Sequence, residues 1–261
     1  RNFRWTTNFT YSWNKNEIIE LAANAVNPVT GEALNLTKLD IKGLGKAKYI
    51  LKEGGTLGDL YTTSNLRFND NGYVEVDKNG NLLMTDEGED IYLGSVFPNH
   101  NLAWRNDFSY KGINLGVLFT ARLGGVCYSA TQANLDLYGV SEASAAARDA
   151  GGVLINGREM VDAQKWYQAI GSQSGLPQYY LYSATNVRLQ ELSLGYTFPR
   201  KWFRNKLGLT VSFVGRNLWM IYCKAPFDPE AVASTGLNYQ GIDYFMMPSM
   251  RNLGFNVQFQ F

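Results

Sequence analysis

Few residues in this chain could perform covalent or metal chemistry. There is one histidine, His100, and there are two cysteines, Cys127 and Cys223. His100 stands beside Pro98, no Gly-x-Ser-x-Gly occurs, and the cysteines are far apart without a Cys-x-x-Cys spacing. Neither a nucleophile with its base nor a His/Cys metal set can be assembled from that inventory, so a hydrolase is the weakest reading. One run hints at calcium: Asp77-Lys-Asn79-Gly80-Asn81, with Asp70, Asp86, Glu87, Glu89 and Asp90 nearby, begins like an EF-hand loop. Its glycine is fourth rather than sixth, however, and no helices flank it. A solvated hairpin turning at Asn79-Gly80, between Tyr73–Asp77 and Leu82–Thr85, accounts for the same residues. No cofactor is expected. Aromatic residues, by contrast, are abundant: 14 Phe, 16 Tyr and 6 Trp. Trp166, Tyr167, Tyr179, Tyr180 and Tyr182 gather in one stretch, where their wide faces could stack on sugar rings or grip peptide side chains. They are the candidate contacts for a solute or a partner.

The elements that must position these residues show in the alternation of side chains. The chain ends with Leu253, Phe255, Val257, Phe259 and Phe261 in one phase and Asn252, Gly254, Asn256, Gln258 and Gln260 in the other. Successive strand residues point to opposite sides, so this is a two-faced β-strand. The start repeats the pattern, with Phe3, Trp5, Phe9, Tyr11 and Trp13 opposing Asn2, Arg4, Thr6, Asn8 and Thr10. Four further strands follow. Leu102–Tyr110 turns at Lys111-Gly112 into Ile113–Leu123; Val187–Phe198 ends at Pro199, which cannot donate to a ladder; Leu209–Trp219 begins after the basic turn Arg200–Lys206. Leu192, Leu194 and Tyr196 share the apolar phase, and Ser193 and Gly195 the polar one. Helices are expected at Ser141–Ala150 and Val161–Ile170, within residues 124–185 between the third and fourth strands.

Alternation alone also fits an edge strand of a soluble sandwich. The connections separate the two cases. Long links (22–101, 124–185 and 220–249) alternate with short ones at 111–112 and 199–206, which is the asymmetry of a membrane β-barrel with short inner turns and long outer loops. No apolar run approaches the ~18 residues of a spanning helix, and a net charge of +1 leaves no footprint for nucleic acid. The fold class expected is therefore all-β: a transmembrane antiparallel barrel segment of about six strands with long extracellular loops. About eight strands are the minimum for closure, and open edges in lipid would leave backbone groups unsatisfied. The chain is thus expected to pair with more barrel, as the C-terminal part of a larger polypeptide. Cys127 and Cys223 fall just above the outer ends of the third and fifth strands. A disulfide between them is conceivable, but another strand intervenes and bridging needs Cα atoms within ~7 Å.

Asn186-Val-Arg-Leu-Gln-Glu-Leu-Ser-Leu-Gly-Tyr-Thr-Phe-Pro199, then Val214-Gly-Arg-Asn-Leu218, then Phe227-Asp-Pro-Glu230 resemble, in order and spacing, the C-terminal end of the SusC/RagA-type TonB-linked outer-membrane transporters of Bacteroidetes. Phe3–Leu21, Leu93-Gly-Ser-Val-Phe-Pro98 and Phe108-Ser-Tyr-Lys-Gly112 extend the resemblance over nearly the whole chain. It implies a 22-stranded barrel in the outer membrane and, outside residues 1–261, a plug, a TonB box and a signal peptide. It further implies a TonB complex as energy partner, a SusD-like surface lipoprotein as lid, and import of glycan or peptide oligomers. Phe255, Val257, Phe259 and Phe261 resemble the terminal signal read by the barrel-assembly machinery. Within Asp228-Pro229, the proline pushes the aspartate to extended geometry, which suits a loop anchor. A structural or adhesive barrel is the other reading of the same strands.

Overall fold

The computed structural model describes residues 3–22, 25–34, 36–85, 88–171, 173–234, 236 and 239–261. Asn2, at the head of the first expected strand, and Asp86 and Glu87 of the acidic run lie outside them. Six long strands form one sheet: β1 (Phe3–Trp13), β2 (His100–Tyr110), β3 (Ile113–Leu123), β4 (Asn186–Phe198), β5 (Gly208–Cys223) and β6 (Asn252–Gln260). Each pairs antiparallel with its neighbour in sequence, so the sheet is a simple up-and-down meander. At the β2–β3 turn, Lys111 and Gly112 both have positive φ (47° and 89°). That conformation matches the right-handed twist of the flanking strands and favours glycine.

The register sorts the side chains as the alternation predicts. Leu192 faces Gly215, Leu194 faces Phe213 and Tyr196 faces Val211, while Phe213 and Val211 in turn face Phe255 and Val257. One apolar surface therefore runs across the sheet, and its large residues, Phe9, Trp104, Leu194 and Phe255 among them, lie exposed. Polar groups on this surface are matched in pairs. The Trp5 indole N–H donates to Asn106 Oδ1 (3.1 Å), and that of Trp104 donates to Thr7 Oγ1 (3.0 Å). Such pairing is what a water-poor surround demands, because an unsatisfied polar group there is costly. His100 lies at the rim with its ring stacked on Tyr11, whose hydroxyl is 2.8 Å from His100 Nδ1.

The opposite face carries charge. Glu191 accepts from Arg105 Nη1 (3.2 Å) and Arg216 Nε (3.0 Å), and Arg105 Nε also donates to Asp107 (2.9 Å). A Cβ on Gly116 would lie 2.5 Å from Ser193 Oγ and 3.0 Å from Asp107 Oδ1, so the missing side chain makes room for this network. Exposed apolar residues on one side and a cross-strand polar ladder on the other are the two solvent environments of a barrel wall.

The three long connections leave the same end of the sheet and pack into one outer layer. A four-stranded sheet (Lys38–Leu44, Ala47–Lys52, Asp59–Thr62, Ile91–Ser95) comes from the first. Helices α1 (Ala130–Leu137), α2 (Glu142–Asp149) and α3 (Ala163–Ile170) come from the second. Their shared core joins Tyr49, Leu60, Leu66 and Val96 of the first connection to Tyr128, Ile170, Leu176 and Tyr180 of the second and Ile242 of the third. Polar ties cross the same boundaries: Tyr49 Oη donates to the Gln240 carbonyl, and Ser129 Oγ donates to Asp243 Oδ2 (2.7 Å). The expected hairpin is present, with Val76 bridged to Leu82. Both Asp77 carboxylate oxygens serve the turn itself, accepting from the Asn79 and Asn81 amides (2.8 Å each) and from Asn81 Nδ2 (2.9 Å). These bonds hold the Asp77 carboxyl below its ordinary range, the Asn81 amide contributing most. Cys127 and Cys223 are both free thiols.

Candidate functional site

The rim where β4 and β5 enter the outer layer brings the three motif segments together. Arg188, only 4% exposed, is held by a bidentate pair with Asp228, Nη2 to Oδ1 at 2.8 Å and Nη1 to Oδ2 at 3.1 Å. The fork also reaches Asn186 Oδ1 (3.2 Å), Asn217 Oδ1 (3.3 Å) and Glu230 Oε1 (3.1 Å). Asp228 thus performs the anchoring role its Asp-Pro context predicts, and it does so through an arginine from another motif. Burial works against the Asp228 carboxylate, but donation from Arg188, Ser249 Oγ and the Glu230 amide outweighs it and keeps the group below its usual range. A planar guanidinium met by a carboxylate on two parallel bonds is among the strongest charge-assisted arrangements.

Local distortions make this convergence possible. A bulge between Leu189 and Glu191 adds a residue to β4, and β5 compensates with Asn217 at φ 53°. Strict alternation would carry Arg188 and Glu191 to opposite sides. The extra residue returns both to the polar side, Glu191 to the inner ladder and Arg188 to the rim. Asn217 consequently leaves the apolar phase of Leu209, Val211 and Phe213, in which simple alternation puts it, and turns toward Arg188.

Beside this node a cavity of about 260 Å³ opens between the upper end of β3 and the outer layer, lined by Val96, Phe97, Arg122, Val126, Glu230 and Val232, among others. The five expected aromatic contacts distribute unevenly. Trp166 and Tyr167 sit on α3, half-buried against the outer-layer core. Tyr179 stands edge-on to Trp166 at 6.0 Å and is 41% exposed, the most open of the five. Tyr180 is 3% exposed, inside the core, where burial raises its phenol above the ordinary range. Tyr182 packs edge-on against Phe227 at 5.7 Å, next to the anchor. The structure therefore brings Tyr182 to the rim node and joins Trp166 to Tyr179, while Tyr180 serves packing. Sequence reasoning passed over Arg122 and Arg188 as site residues, although a charge in the polar phase near a strand's outer end was the available signal for Arg122, and a charge in the apolar phase for Arg188.

A meandering strand sheet with one apolar and one charged face, crowned at one end by fused long loops, defines a segment of an outer-membrane β-barrel. No helix among the described residues is long and apolar enough to cross a membrane. The chain is similar to TonB-dependent receptor P3 of Formosa agariphila, at 25% identity over 99% of the chain, and to TonB-dependent receptor P39 of the same organism, at 21% over 98%. It spans 27% and 28% of those relatives, about a quarter of their length. Among solved structures it matches the RagAB peptide transporter with a TM-score of 0.58 at 19% identity, and the RagAB peptide importer in its open-open state with a TM-score of 0.63 at 18%. Each match covers 99% of the chain and 27% or 26% of the neighbour. No family model matches. The relatives are named as TonB-dependent receptors, and the likeness to the solved transporters is one of fold.

Proposed function

We propose that the chain is part of an outer-membrane importer that takes up nutrient oligomers, glycan or peptide, with energy delivered through a TonB complex and with a SusD-like lipoprotein closing the outer mouth. The rest of the barrel and a plug complete the pore. The observation that carries this reading is the fusion of all three long connections into a single packed layer at one end of the sheet. Flexible loops would serve adhesion as well, whereas a layer with its own core and a buried anchor offers a rigid rim on which a lid can close and a solute can be held. Its similarity to TonB-dependent receptors supports the import class, and the RagAB neighbours, themselves peptide importers, are consistent with a lidded assembly.

The test uses the full-length protein in its native outer membrane. Uptake of labelled oligosaccharides and oligopeptides should stop when the proton gradient is collapsed, a surface lipoprotein should copurify, and Tyr179→Ala should lower uptake with barrel levels unchanged. Uptake indifferent to the gradient, or purification without any lipoprotein, would remove the proposal.

A further inference from the structure

The cavity at the rim has a charge pattern that the anchor alone does not require. Arg122, half-buried in the polar phase of β3, makes no hydrogen bond or ion pair among the described residues. Glu230, on the same cavity, gives Oε1 to Arg188 at 3.1 Å and is not paired with Arg122. The cavity thus presents a cation without an acceptor and a carboxylate with an oxygen to spare, separated by open space. Together with Arg188 and Asp228, these two make a cluster of two positive and two negative groups. A solute bringing only a negative charge would unbalance that cluster, whereas one bringing both signs, or an acid together with amide donors, would not. Of the remaining lining, the side chains of Val96, Phe97, Val126 and Val232 are apolar and Gln240 is the one uncharged polar side chain, so few side-chain donors and acceptors are left for the hydroxyls of a sugar. A volume of about 260 Å³ lies just under the ~300 Å³ at which pockets begin to hold drug-sized ligands, so it suits one unit of an oligomer.

We infer that this cavity is a subsite for the carboxyl-terminal residue of a short peptide. Arg122 takes the free carboxylate on its two-pronged donor face, Glu230 accepts from the peptide's N–H groups, and Phe97, Val126 and Val232 enclose the side chain. Leaving a partly desolvated guanidinium without an acceptor is unfavourable, and the incoming carboxylate relieves this. The inference rests on the import reading and narrows it to a peptide end.

The experiment measures binding of Ala-Ala-Leu, its C-terminal amide and trigalacturonic acid to the purified full-length protein in detergent, with heat-dependent gel migration showing that every variant holds a folded barrel. The free acid should bind about tenfold or more tightly than the amide, as expected for loss of a charge-assisted bond. Arg122→Gln should bring that ratio to about one, and Arg122→Lys should keep part of it. An acid-to-amide ratio retained in Arg122→Gln would overturn the subsite, as would trigalacturonic acid binding where the tripeptide does not. Gradient-dependent uptake by cells separates the two levels: if uptake persists while the ratio in the unaltered protein is one, the subsite fails alone, and if no oligomer is taken up, the import reading fails independently of the ratio.

Discussion

Asp228→Ala is the perturbation whose consequence the structure specifies most fully. The substitution leaves Arg188, 4% exposed, with Glu230 as its remaining anionic partner and removes both short bonds of the fork. Breaking a buried pair from one side costs about 3–5 kcal/mol, because the surviving charge stays desolvated. The residual Glu230 contact, on a side chain 33% exposed, puts the expectation at the low end, about 3 kcal/mol. The loss is local. Asp228 also accepts from the Glu230 amide (3.0 Å) and caps the turn whose Ala231 amide donates to its carbonyl (3.0 Å), so the third connection should open while the strands stay paired. Native-state hydrogen exchange on the full-length protein should show amides in 224–234 exchanging on the order of a hundredfold faster, since each 1.4 kcal/mol is a factor of ten. Asp228→Asn, which keeps the shape and loses the charge, should fall between. Replacing both partners, Arg188→Met with Asp228→Leu, should cost no more than the single change. The sign of the pH dependence follows from the depressed carboxyl: protection is full above the ordinary value near ~4 and is lost as the pH falls below it, through the folded-state value. A less than fivefold change in Asp228→Ala, or protection that improves on acidification, would refute the anchor.

Spin labels at 255 and 256 should differ in access to a lipid-soluble quencher, because Phe255 pairs with Phe213 on the apolar face and Asn256 with Ser212 on the polar face; equal access would deny the barrel wall. Deleting Phe261, 96% exposed, should reduce assembled barrel far more than it reduces the stability of barrel already formed, since burying one aromatic is worth at most about 3 kcal/mol, and normal surface levels would dismiss the assembly signal. Burial pushes the Cys127 thiol up to about 12, so maleimide at neutral pH should leave it unmodified in the folded protein and label it after denaturation; prompt labelling of the folded form would contradict the packing around it.

The sheet was legible because membrane strands are written in a two-residue period with little to obscure it. Leu253 through Phe259 and Phe3 through Trp13 carry their faces in plain alternation, and the sorting of long and short connections then sets the topology without any appeal to packing. Two of the three helices were also visible, each with its cap: Ser141 accepts from the Ser144 amide and Asp162 from that of Lys165. The helix Ala130–Leu137 went unread, although Ser129-Ala-Thr-Gln132 has the spacing of a capping box and the Ser129 side chain does accept from the Gln132 amide. A strand ending at Ser129 masked it, since the same serine closes one element and opens the next.

The rim was not legible, and the reason is a change of phase. In a strand that alternates perfectly, a charge is assigned to a face by counting in twos. Counting from Ser193 back through Glu191 puts Arg188 on the lipid side, where a guanidinium would have no acceptor. The bulge at Leu189–Glu191 cancels one count, and the positive φ of Asn217 cancels another on the facing strand. Neither is announced by a glycine or a proline, the residues that usually mark such departures. Asn186, Arg188, Asn217 and Asp228 are separated by up to 42 positions in sequence, and no pattern confined to one strand could have joined them. The conflict itself was nonetheless readable. A strand holding Arg188 and Glu191 three residues apart must either bury a charge in lipid or break its own register, and the second is far cheaper. Charges in opposite phases of one membrane strand thus mark where the ladder gives way to a site.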